Sequence, residues 1–138
     1  MQAYIDSSVL ISIVFEQFPR LAQWGTWDGA FTSAVAETEC RRTVDRMRLE
    51  GKLSDEAVAD AHSVVGSLLA ALTTVDIAPS ILERAGASMP TVVGTLDAIH
   101  LATALAIRRD QSLDLVFATH DRQQATAAIA MGFEVMGV

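Results

Sequence analysis

Acidic residues recur in this sequence where strand-like runs give way to helices. Asp6 follows Ala3-Tyr4-Ile5, and Asp121 comes shortly after Leu115–Ala118. Asp97 stands in the first turn of an apolar helical run, and Glu37 or Glu39 falls early in another helix. In a parallel α/β arrangement, ligand chemistry collects at the carboxyl ends of the strands. Two carboxylates about 4 Å apart repel by about 4 kcal/mol at an effective dielectric of about 20. Acids gathered at such a place therefore need a cation, and hard oxygen donors select Mg²⁺ or Mn²⁺. Each acid also has a plain structural role. Asp6 can cap a helix, and Asp97 and Asp121 can stabilise helix starts. Glu37 can pair with Arg41 on one helix face. At about 100° per residue, Glu37 lies nearer the apolar stripe of Ala36, Cys40, Val44 and Met47 than Glu39 does. Periodicity leaves that choice open.

The elements that must position these acids are legible along the chain. A short strand through Ala3-Tyr4-Ile5 runs into a helix with Val9, Leu10, Ile13 and Val14 on one face. Pro19 suits the start of a short second helix through Leu21, Trp24 and Trp27, which Gly25 weakens, leaving a helical turn with aromatic anchors as the alternative. Asp28-Gly29 marks a turn before a brief strand, Ala30-Phe31-Thr32. Ser33 can cap a helix from Ala34 to about Glu50, closed by Gly51. Ser54 opens another helix, with Val58, Ala61, Val65, Leu68 and Leu72 on its buried face. A strand over Thr73–Ile77 follows, then a helix from Pro79 to Gly86. Thr95 caps a helix that is apolar nearly all round and so deeply buried. Leu115–Ala118 is a strand, a helix runs through Ala125, Ala128 and Ile129, and Phe133–Met136 closes the series. Strands alternate with helices, which implies a mostly parallel sheet of about five strands with helices on both faces.

The 138 residues, 51% apolar and 20% charged, suit one globular domain over 1–138. No segment reads as a secretory leader or a membrane span. The single cysteine, Cys40, fits a reducing cytoplasm. With His62, His100 and His120 it shows no zinc-ligand spacing. The net charge of −7 argues against a surface that coats nucleic acid nonspecifically. A basic run of Arg41, Arg42, Arg46, Arg48 and Lys52 stands against that acidic whole, as a local basic face or a solvated helix side.

Four stretches, YIDSSVL, TSAVAETECRR, LDAIHLATAL and FATHDRQQATAAIAMGF, resemble in order and spacing the PIN-domain ribonucleases, most closely the VapC-type toxins of bacterial toxin–antitoxin modules. The resemblance covers essentially the whole chain and implies a three-layer α/β sandwich. It selects Glu39 over Glu37, and matches Asp6, Glu39, Asp97 and Asp121 to that family's acids. It implies metal-dependent hydrolysis of RNA phosphodiester bonds, with Mg²⁺ or Mn²⁺ held chiefly by Asp6 and Asp97. Glu39 and Asp121 would hold waters or a second ion. Thr119 and Ser7 are expected as supporting residues, and Arg41 and Arg42 as RNA contacts. A homodimer, restrained by a cognate antitoxin, is the implied assembly. His100 reads as a packed helix residue and His120 as a loop residue, since metal-activated water needs no histidine base. Cys40 and Gln123-Gln124 depart from more apolar family residues, and neither is expected to touch the acids. A phosphatase of the haloacid dehalogenase type would need an acid at Ser8. An inactive binding module would not need all four acids.

Overall fold

The computed structural model describes residues 1–16 and 21–138. Pro19, expected to open a short helix, lies outside the described residues. From Leu21 to Asp28 the chain makes turns and bends instead of a helix, with Gly25 at φ 79°. Trp24 and Trp27 meet there edge to face at 5.1 Å and pack on the core, as aromatic anchors.

Eleven elements are described. They are β1 (Gln2–Ile5), α1 (Ser7–Phe15), β2 (Gly29–Ser33), α2 (Val35–Leu49), α3 (Asp55–Ala70) and β3 (Thr73–Val75), then α4 (Pro79–Ala85), α5 (Thr95–Gln111), β4 (Leu115–Ala118), α6 (Arg122–Ala130) and β5 (Glu134–Met136). The strands form one sheet in the order β3-β2-β1-β4-β5, and every pairing is parallel. The chain builds outward from β1 to β3 on one side, then returns to build β4 and β5 on the other. The strand order thus reverses between β1 and β4, which is where an open parallel sheet leaves a crevice for ligands.

Alternation along β1 sorts its side chains between two cores. Ala3 and Ile5 join Val9 and Leu10 of α1, Ala36 and Cys40 of α2 and Val65 of α3 on one face. Tyr4 joins Phe31 and Phe117, together with Leu101, Ala104 and Ile107 of α5 and Ala127 and Ala128 of α6, on the other. This is the three-layer α/β architecture that the resemblance implies. All four residues of the stretch Ala3 to Asp6 are buried, as a central strand covered on both faces requires.

Local capping follows sequence in most places. Ser54 accepts from Ala57 N–H at 3.1 Å, Pro79 opens α4, and Gly51 takes the left-handed φ of 71° just past α2. Thr95 and Ser33 depart from expectation: Gly94 is the N-cap of α5 and Thr95 its first helical residue, while Ser33 ends β2 and Ala34 is the N-cap of α2, with Ser33 Oγ accepting from Val35 N–H at 3.3 Å. Asp97, in the first turn, supplies the negative charge that the exposed N–H groups favour. No described helix is long and apolar enough to cross a membrane.

Candidate active site

Asp6 ends β1 and begins α1. Its backbone N–H extends the sheet ladder by donating to Ala118 O at 2.9 Å. Its side chain, 3% exposed, caps α1 by accepting from Ser8 N–H at 3.1 Å. The cap is one of several bonds. Oδ2 also accepts from the Ser8 hydroxyl at 2.5 Å and lies 3.1 Å from the Thr119 hydroxyl. Oδ1 accepts from Gln124 Nε2 at 3.2 Å. Cap and site residue are thus compatible for the same carboxylate.

Gln124 is fully buried and touches the first acid directly. The expectation that the Gln123-Gln124 departure leaves the acids untouched fails here. A buried amide must find partners, and Asp6 and Thr119 are what the end of the sheet offers. Thr119 Oγ1 accepts from Asp121 N–H at 3.0 Å and lies 2.8 Å from Gln124 Oε1. Its single proton serves either Asp6 or Gln124, one at a time. Ser8 completes the knot by accepting from His120 N–H at 3.0 Å.

Glu39 comes from the second turn of α2, in the opposite helical layer from α5. Its Oε1 lies 2.6 Å from His100 Nε2, and its Oε2 accepts from the Ser7 hydroxyl at 3.0 Å. Glu37 instead faces outward and pairs with Arg41 at 2.9 Å. The structure therefore brings Glu39, and not Glu37, to the cluster. His100 is fully buried, as a packed helix residue should be, yet its ring also stands 3.5 Å from Asp6 Oδ1. Its Nδ1 lies 2.7 Å from the Tyr4 hydroxyl. Burial opposes the charged imidazole, but the Glu39 bond and the nearby Asp6 and Asp97 charges outweigh it and raise the His100 pKa. Burial, then the Asp6 charge, pushes the Tyr4 hydroxyl well up, so it keeps its proton. Cys40, buried beside Glu39, is pushed up to about 12 by burial and then by Glu39 and Asp6.

Asp97 is the half-buried member. Burial, with the charges of Asp6, Asp121 and Glu39, lifts its carboxyl to about 6 against the pull of His100. No hydrogen bond to its carboxylate is formed among the described residues. Asp121 caps α6, accepting from Gln123 N–H at 2.8 Å and Gln124 N–H at 3.1 Å. All four sequence-identified acids thus meet at one end of the sheet, on Asp6 and Asp121 from strand ends and Glu39 and Asp97 from helix starts. Ser7 and Thr119, expected in support, bond to Glu39 and Asp6. His120 sits beside the cluster as a loop residue, its Nδ1 2.7 Å from Gly137 O.

The basic run along and just after α2 is largely tied up locally. Arg41 bonds Glu37 and lies 2.9 Å from His62 Nδ1, Arg42 and Arg48 share Asp45, and Lys52 pairs with Glu50. Such exposed pairs leave the arginines available to exchange partners at little cost.

Among the described residues, no three His, Cys, Asp or Glu side chains stand where they can hold a metal ion between them. A Mg²⁺-class ion needs no such enclosure, because it takes one or two carboxylates and keeps several waters. The donors here are hard oxygens, and Asp97 is an acid raised by acidic neighbours without a local donor. That donor set fits the chemistry of a hard divalent cation.

No curated protein sequence matches the chain. Solved structures share its fold across nearly the full length. FitAcB from Neisseria gonorrhoeae is 17% identical, with TM-score 0.68 over 97% of this chain and 96% of that one. A toxin–antitoxin complex from Klebsiella pneumoniae is 19% identical, with TM-score 0.66 over 99% and 98%. VapC20 of Mycobacterium tuberculosis, described as a sarcin–ricin loop cleaving toxin, is 16% identical, with TM-score 0.63 over 99% and 98%. The PIN domain itself matches residues 3–130. With that match, the parallel sheet and the acids gathered at its switch point, the chain belongs to the PIN-domain family.

Proposed function

We propose that residues 1–138 form a single catalytic domain, a Mg²⁺- or Mn²⁺-dependent endoribonuclease that acts as the toxin of a toxin–antitoxin pair. The observation that carries this reading is the meeting of Asp6, Glu39, Asp97 and Asp121, where burial and the neighbouring acids lift Asp97 to about 6. When bound, a divalent ion supplies a water of lowered pKa and neutralises charge on the scissile phosphate. Asp6 and Asp97 are the carboxylates that hold it. Asp6 is pre-positioned by Ser8, Thr119 and Gln124, so it reorganises little on binding. Glu39 and Asp121 orient waters, one anchored by His100 and Ser7, the other by the N-terminus of α6. Arg41 and Arg42 lie on the helix that carries Glu39 and draw the RNA backbone toward the cluster.

The toxin role draws support from the toxin–antitoxin assemblies among the fold relatives. A partner arginine can pair bidentately with the carboxylates and block them. The expected assembly is a homodimer held inactive by that antitoxin in the cytoplasm. The test is incubation of purified protein with structured and ribosomal RNA in Mg²⁺, in Mn²⁺ and in chelator, beside Asp97→Asn. Cleavage that needs metal and vanishes in the variant is expected. Cleavage that survives both chelator and Asp97→Asn would refute the site. Induction in a bacterial host tests the toxin role, with growth arrest expected; unimpeded growth with active enzyme would remove it.

A further inference from the structure

We propose that His100 is a positioning residue of the acidic cluster, its imidazole, fixed through Tyr4, holding the Glu39 carboxylate toward Asp6 across the end of the sheet. The proposal rests on the reading of Glu39 as a site carboxylate. Glu39 belongs to one helical layer and His100 to the other, so their 2.6 Å contact links the layers around the end of β1. A glutamate has three torsions to fix, and a buried partner fixes them better than solvent does. The partner is itself held. The Tyr4 hydroxyl lies 2.7 Å from Nδ1, and the Tyr4 ring meets the imidazole edge to face at 5.9 Å. Phe117 stacks on that same tyrosine at 5.1 Å. A neutral imidazole accepting from Tyr4 carries its hydrogen on Nε2, and an imidazolium carries one there too. In both states Nε2 donates to Glu39, so the arrangement does not depend on titration. A histidine that merely fills the core would need no carboxylate at this distance.

The test compares wild type with His100→Leu, His100→Gln and Tyr4→Phe. It reads Mn²⁺ affinity without RNA, then kcat and KM on RNA, and the melting temperature in chelator. Outer partners of metal-binding groups typically affect affinity or activity by about 10–100-fold. His100→Leu is expected to weaken Mn²⁺ binding and lower kcat by about that factor, with KM little changed. His100→Gln, whose amide nitrogen can stand near Nε2, recovers most of the loss. Tyr4→Phe gives a smaller loss, and adds none to His100→Leu. Wild-type or tighter Mn²⁺ binding by His100→Leu overturns the proposal, as does equal impairment of the Gln and Leu variants. If His100→Leu does not fold, unchanged Mn²⁺ affinity in Tyr4→Phe overturns it. A wild type that binds Mn²⁺ but leaves RNA intact sinks the nuclease reading alone; one that binds no Mn²⁺ sinks both.

Discussion

Gln124 donates from Nε2 to Asp6 Oδ1 at 3.2 Å, joining residues 118 positions apart in the chain. The contact ties α6 to the carboxyl end of β1 beneath the candidate site. Gln124→Leu removes a buried donor to a charged acceptor and leaves Asp6 less satisfied. A loss of about 1.5–3 kcal/mol is expected, read by denaturant unfolding in chelator. RNA cleavage should fall with it, because Asp6 loses one of the bonds that hold it.

Repulsion among acids suggests that asparagine at either principal position would stabilise the metal-free protein. The hydrogen bonds separate the two cases. Asp6 accepts from Ser8 N–H and Ser8 Oγ and from Gln124 Nε2. An asparagine there turns an NH₂ group against donors in either orientation, so Asp6→Asn is expected to melt lower by about 1–3 kcal/mol. Asp97→Asn removes a like charge and no bond, so it is expected to melt higher. Thermal melts in chelator at neutral pH check both. Saturating Mg²⁺ should narrow or reverse the Asp97→Asn advantage by stabilising wild type.

Asp97 also sets a pH dependence. Its folded pKa of about 6 stands above the ordinary 3.8. The folded state therefore binds a proton that the unfolded chain has released across that interval. This contribution is fully present below about pH 4 and is lost as pH rises through 6. The metal-free wild type should lose stability relative to Asp97→Asn across that window, modestly, since solvent screens a half-buried group. An ion must displace the same proton, so Mn²⁺ affinity is expected to fall below pH 6. Titration calorimetry at pH 5 and pH 7.5 reads the difference.

Arg41→Ala and Arg42→Ala address the RNA face. Each is expected to raise KM several-fold with kcat unchanged, and to reduce the salt dependence of RNA binding by about one counterion. Folding stability should move by less than about 1 kcal/mol for Arg42→Ala, whose pair is exposed, and somewhat more for Arg41→Ala, which also leaves the part-buried contact with His62. Binding isotherms at several salt concentrations separate this from a structural loss.

Much of this site is legible in the sequence. Asp6 and Asp121 stand at strand ends, and strand–turn–helix boundaries are written in local residue types. Glu39 is not reachable that way, since helical periodicity leaves the choice between Glu37 and Glu39 open; the resemblance selects Glu39, and its bonds to His100 and Ser7 place it at the cluster. His100 lay hidden because α5 is apolar nearly all round, so a polar residue on it looks like packing. Its partner is 61 positions away in sequence. Gln124 was hidden for the same reason, as its partner lies at the opposite end of the chain. Thr95 shows the converse limit: a favoured cap type stood one residue inside the helix, after a glycine that took the role.

The double duty of Asp6 bears on how such a chain drifts over generations. A copy released from cutting RNA would still need that carboxylate, because α1, Ser8 and Gln124 all lean on it. Asp121, as the cap of α6, would persist for a similar reason. Glu39, bonded to the buried His100 and to Ser7, would stay with them, so selection for folding alone would preserve three of the four acids in a descendant with no activity left. Asp97 has no bond to lose and a charge that its neighbours oppose, so a chain freed from catalysis gains by discarding it. Among relatives of this protein, the residue at position 97 is the one whose loss would mark a nuclease that has stopped being one.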